Sequence, residues 1–236
     1  MNRTLIANYL RHRASSPMRV ALIVVPSFFA LGSVAMGHSL APIAGLSTFF
    51  GMVLAAGAIG QDVSSGTLQL LLARPVTRPG YVMSRWIASG LGASVLHIGL
   101  VALSTIIVYL SGEHPPQWEP LALVLEGIAG GFGSAAVLIM FSALLDGLGD
   151  VAVLIACAVG LQMTTAVAAW REWATVARIS QHLQSSLAPA LALDWMFRGL
   201  HPSWFDMVSY GSTVAIALSV AILRVNRREL SYAANA

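Results

Sequence analysis

Apolar residues along this 236-residue chain gather into long runs, and short polar clusters punctuate them. In order, the runs cover residues 20–37, 43–60, 81–110, 121–145, 151–169 and 205–223. Each is close to or above the roughly 20 residues that a helix needs to cross the hydrocarbon of a bilayer. The first contains Pro26 near its start, and residues 38–42 read as a tight turn before the second. The third, at 30 residues, is too long for an untilted crossing, so it tilts or projects beyond the bilayer. Residues 111–118, Ser-Gly-Glu-His-Pro-Pro-Gln-Trp, are a cluster of helix breakers. The pattern predicts an all-α polytopic membrane protein of six spans, with both termini on one side.

Two stretches fall outside the spans. Residues 1–19 are basic, and Leu5, Ile6, Tyr9 and Leu10 share one helical face. They read as an uncleaved amphipathic lead-in helix lying at the membrane interface. In residues 171–204, Ile179, Leu183, Leu187, Leu191 and Leu193 recur around a break at Pro189. Two short extracytoplasmic helices, re-entrant or lying on the surface, are expected there.

Composition strengthens the membrane reading. Charged residues make up 10% of the chain, against roughly 25% in an ordinary soluble domain. Hydrophobic residues make up 57%, and the mean hydropathy is +0.76, which excludes a freely soluble enzyme. With the termini in the cytoplasm, ten arginines (3, 11, 13, 19, 74, 78, 85, 224, 227 and 228) fall in inner segments and three (171, 178 and 198) in outer ones. That is the positive-inside bias. Trp118, Trp170, Trp173, Trp195 and Trp204 fall at or near outer ends, and Trp86 near an inner end, where amphipathic indoles collect. The basic residues form no run of the kind that grips nucleic acid, so the partner of this charge is the lipid bilayer.

The polar segment 61–80 carries the most information. Gly66 permits a turn, residues 67–73 form a short amphipathic helix, and Pro75 and Pro79 end it before the third span. A helix held at the cytoplasmic surface is a docking element for a soluble partner. The segment resembles the Glu-Arg-x-x-Gly-Thr-Leu-Glu-x-Leu-Leu-x-x-Pro-Ile-x-Arg stretch of ABC-2 type transporter permeases. Gly66, Thr67, Leu68, Leu71, Leu72, Pro75 and Arg78 match it, and Asp62 keeps the acidic member of its leading pair. Val63 replaces the basic member, and Gln69 replaces the second acidic position. Residues 226–230, Asn-Arg-Arg-Glu-Leu, resemble the family's terminal signature without its aromatic residue.

The resemblance implies the permease fold of type V ABC exporters, in the bacterial inner membrane. It implies a non-catalytic subunit that pairs with a second copy or a close paralogue above two copies of a cytoplasmic ATPase. ATP and Mg would be bound by that ATPase, and the coupling residues would be Asp62, Gly66, Thr67, Leu68, Leu71, Leu72, Arg74, Pro75 and Arg78. The residues agree: the chain has no Walker A motif and, lacking any lysine, cannot supply the Walker lysine. The rival reading is a non-translocating scaffold that passes ATPase motion to, or anchors, an extracytoplasmic partner.

Within the spans, His97 and Glu126 are functional candidates, because an unpaired ionisable group at membrane depth is costly. Asp146 and Asp150 flank a short inner loop that faces a partner's basic surface or water. Gly127, Gly130 and Gly131 are expected to pack helices closely. Cys157, the one cysteine, reads as a small buried hydrophobe. No His-Glu-x-x-His is present and the six histidines show no ligand spacing, so no metal site is expected.

Overall fold

A computed structural model describes residues 3–72, 76–193, 195–198 and 204–227. It is all-α among these residues. The helices are α1 (Arg3–Ala14), α2 (Pro17–Gly37), α3 (Leu46–Ala55), α4 (Gly60–Ser64), α5 (Thr67–Leu72) and α6 (Arg78–Leu110). They continue with α7 (Trp118–Leu144), α8 (Gly149–Trp170), α9 (Ala174–Leu187), α10 (Trp195–Arg198) and α11 (Trp204–Arg227). Six stretches are long and apolar enough to cross a membrane: α2, the interrupted run Ala41–Ser64, α6, α7, α8 and α11. The protein is a multi-pass membrane protein.

Local chemistry sets the helix ends. Pro17 occupies the first turn of α2, where its missing N–H costs nothing, and His38 ends the helix in the left-handed region at φ 50°, donating its N–H to Val34. Thr77 caps α6 by accepting the Gly80 N–H, with Pro79 in the first turn. At 33 residues, α6 is about 50 Å long, well beyond the roughly 30 Å of hydrocarbon, so part of it stands outside.

The bundle is organised around α7 and the broken second span. Within its most apolar window, 61% of the second span is buried, against 11% for α2 and for α8, which lie at the periphery. Small residues allow the close approach. A Cβ on Gly131 would overlap Ser47 of α3 and Ala93 of α6, one on Gly130 would overlap Thr48, and one on Gly127 would run into the His97 ring. The three glycines therefore sit where side chains of α3 and α6 press directly on the backbone of α7.

Two features add detail to the apolar pattern. The run expected as one span at 43–60 is interrupted: α3 ends at Ala55, Gly57 turns the chain at φ 65°, and α4 begins at Gly60. The second is α9. After a tight turn at residues 171–173 it doubles back along α8, with Thr165 of α8 bonded to Ser180 and Gln184 of α9 at 3.0 Å each. It reaches the level of Gly133, in the middle of α7, where a Cβ would overlap the Pro189 carbonyl. Residues 188–193 then return in non-helical form, and Phe197 of α10 stacks on Trp118 at the start of α7, ring centroids 6.5 Å apart.

Candidate functional site

The break between α3 and α4 leaves backbone groups without helical partners, and buried orphans of this kind are costly. Side chains from four other helices meet them. The Asp150 carboxylate, fully buried, accepts the Gly57 N–H at 2.6 Å and its neighbour Val151 N–H at 2.9 Å. The Ser142 hydroxyl of α7 accepts the N–H groups of Ile59 and Gly60 at 3.0 and 2.9 Å. The Ala56 carbonyl receives Arg13 of α1 and Arg19 of α2, and Arg19 also donates to Gln61 at 3.2 Å. The Gly60 carbonyl accepts the Gly147 N–H at 2.9 Å. The bond fits because residue 60 lacks a Cβ, which would collide with the Leu145 and Gly147 carbonyls.

One turn further on, α4 presents Asp62. Tyr81 and Arg85 stand four residues apart on α6 and so share a face. Tyr81 donates its hydroxyl to the Asp62 carboxylate, and Arg85 forms an ion pair with the same oxygen. The Arg85 guanidinium lies over the rings of Tyr9 and Tyr81, at 4.5 and 5.0 Å from their centroids. Tyr9 of α1 is also approached by Arg13 at 4.8 Å, and its hydroxyl donates to the Leu54 carbonyl at 2.7 Å. A partly buried carboxylate is thus held by one cation and one phenol, and the cation lies over two aromatic rings that favour positive charge. α1, α4 and the start of α6 form one polar joint at the end of the bundle where α11 also ends.

The predicted coupling residues distribute around this joint. Asp62 lies inside it. Gly66 adopts φ 71°, a left-handed turn that only glycine takes without strain, and sets α5 at an angle to α4. Leu68 is buried in the same core as Tyr81 and Val225, and Leu71 packs against that core. These two leucines therefore hold α5 down, and its outward face carries Thr67, Gln69 and Leu70, the last 73% exposed. Arg78 donates to the Asn226 carbonyl, tying the start of α6 to the end of α11. Leu72 ends α5, while Arg74 and Pro75 lie outside the described residues.

Asp146 is exposed, but Asp150 points inward to the break, which corrects its reading as a loop contact: a carboxylate in the first turn of α8 is taken up by backbone N–H groups. The sequence reading also missed Arg85 as the partner of Asp62, although the i, i+4 pair Tyr81 and Arg85 was its available signal. Residues 3–14 are helical, with Tyr9 buried and Ile6 and Leu10 packed on the protein core.

His97 and Glu126 lie away from this joint. Both line a cavity of about 190 Å³ together with Ser47, Thr48 and residues 190–192. The His97 ring bonds the Leu123 carbonyl at 3.0 Å, and Glu126 accepts the Leu193 N–H at 2.7 Å. Glu126 thereby satisfies a donor of the returning, non-helical segment. Among the described residues no three His, Cys, Asp or Glu side chains are placed to hold a metal.

A search of curated proteins returns no match. Over residues 9–230 the chain matches the family described as ABC-2 family transporter protein.

Proposed function

The chain belongs to the ABC-2 family of transporter proteins, and from that premise we propose that it is the permease subunit of an ATP-binding cassette exporter. Two copies, or one copy and a close paralogue, form the membrane part in the type V exporter arrangement. A separate cytoplasmic ATPase, two copies per complex, binds ATP and Mg and supplies the work. Both termini face the cytoplasm of a bacterial inner membrane, and α1 rests at the interface with its aromatic face on the protein. The α9 hairpin re-enters the outer half of the bilayer.

The observation that supports this reading best is the joint. A force on α5 reaches α4 through a single turn at Gly66, and α4 is fastened to α6 by Asp62, Tyr81 and Arg85. It is fastened to α7 and α8 through the satisfied helix break. α6 extends past the hydrocarbon and spans the bundle. Partner closure is therefore delivered to the tilt of the spans rather than absorbed in a loose loop, as positional coupling between rigid elements requires.

The exposed face of α5 is the test. Leu70→Asp changes a side chain that is already in solvent, so stability should move by less than about 0.5 kcal/mol. In the same variant, capture of the co-expressed ATPase and its ATP hydrolysis in proteoliposomes should fall together. Capture at the wild-type level would remove α5 from the docking surface. ATP-driven accumulation of a solute in inverted vesicles separates an exporter from a scaffold that hydrolyses ATP without moving one.

A further inference from the structure

A second cavity, of about 600 Å³, lies between α7, α8, α9 and α11. Its walls include Cys157, Gly160, Leu183, Leu187 and Ile216, from the middle of two spans and the end of the α9 hairpin. The volume is typical of a small-ligand site. It would hold on the order of twenty waters at liquid density, each needing two to four polar partners. The walls cannot provide them. Ser186 already donates to the His182 carbonyl, which leaves the Thr213 hydroxyl and the Cys157 thiol as the remaining polar side chains in an otherwise hydrocarbon lining. The space is dry.

The protein does not close it either. The first half of α9 is fixed to α8 through Thr165, Ser180 and Gln184. Just past its end the Pro189 carbonyl lies close against Gly133 of α7, and α11 is fixed to α7 by the Tyr210 hydroxyl on the Ala129 carbonyl at 2.7 Å. The two movable walls are thus anchored to a third element, with a gap between them. The cavity reaches the protein surface where Gly160, Leu183 and Ile216 are exposed, and Gly160 and Ile216 lie near the mid-length of α8 and α11, the depth that in a membrane is the acyl region. We propose that it is a binding site for one acyl chain of a bilayer lipid. Each methylene that moves into it leaves only hydrocarbon contacts behind, so the gain is close packing against fixed walls rather than water release. The site does not depend on the coupling role of the joint or on an ATPase.

The full-length chain, reconstituted without any ATPase into nanodiscs of phosphatidylcholine, tests this. A small fraction of the lipid carries a diazirine at mid-chain, and mass spectrometry maps adducts after illumination. Adducts should concentrate on α8 around Cys157 and on α9 around Leu187, above those on the exposed Phe28 and Phe29 of α2. A Cβ on Gly160 meets nothing within 4 Å, so Gly160→Leu and Gly160→Phe fill the cavity without a clash in the helix. Either variant should cut cavity adducts about tenfold, equivalent to roughly 1.4 kcal/mol, and leave those on α2 unchanged. Equal labelling of α2 and the cavity, or labelling indifferent to both fillings, would overturn the proposal. Efficient Cys157–Cys157 cross-linking under mild oxidation would also overturn it, because a second copy would then occupy the groove.

Discussion

The polar joint and the α9 groove solve opposite problems in the same bundle. At the joint, a helix break exposes backbone donors and acceptors, and Asp150, Ser142, Arg13 and Arg19 converge on them from different helices. At the groove, the helices are intact and their walls apolar, yet they are held apart by anchors at Thr165, Gly133 and Tyr210. The joint is dense in specific bonds, and those that converge on the break from other helices cross 37 to 93 positions of sequence. The groove is poor in them and leaves a volume for something else to fill. Rigidity where force is received and spare volume where the membrane is met follow from the same rule: in hydrocarbon, polar backbone must find protein partners, whereas apolar surface need not.

The largest effect should come from reversing this polarity beneath the joint. Leu68→Asp places a carboxylate in a core shared with Tyr81 and Val225, and should cost about 3 kcal/mol or more, seen as loss of monodisperse protein on extraction. Leu70→Asp, two positions away on the outward face, is the matched control. Equal stability of the two variants would mean that α5 is not seated as described. Next comes Arg85→Ala. A fully buried pair loses roughly 3–5 kcal/mol when one partner is removed; here the side chains keep 11% and 20% exposure, so about 2 kcal/mol is expected. Adding Asp62→Ala should restore part of that loss, because the unpaired carboxylate is gone, and denaturation of the four proteins of the cycle measures it. Strict additivity would break the picture of a single joint. Asp150→Ala should follow at about 1–2 kcal/mol, the cost of orphaning the buried Gly57 N–H. Asp150→Asn, which keeps an acceptor oxygen, should recover most of it, as thermal unfolding in one detergent would read.

The sequence made the groove's walls easier to foresee than the joint's bonds. Six spans, the short helix after Gly66 and the return of residues 171–204 towards the membrane are all periodicity and punctuation, which act locally. The partner of Asp62 depends on how far α6 is rotated, and nothing within the 61–80 segment reports that rotation. The break at Gly57 is hidden for a similar reason. Its neighbours Ala55, Ala56 and Ala58 are as apolar as any span, and the groups that make the break tolerable lie on other helices. With its six residues, α5 was also too short for its pattern to say which face is seated, so Leu68 and Leu71 read as docking residues until their burial was seen.

The smallest expected effect has the opposite sign and separates the two regions most cleanly. Gly160 sits inside α8 with open space where a Cβ would stand. Gly160→Ala removes backbone freedom from the unfolded chain and adds one methyl to the groove, so it should stabilise the protein by roughly 0.5–1 kcal/mol. The same substitution at Gly60, in the joint, drives a methyl into two backbone carbonyls and must destabilise. Unfolding midpoints of the two alanine variants, measured in the same nanodiscs, should therefore move in opposite directions from wild type. If both fell, the volume beside Gly160 would be a space that the helices close in the membrane, and the contrast between a packed joint and an open groove would fail at the groove.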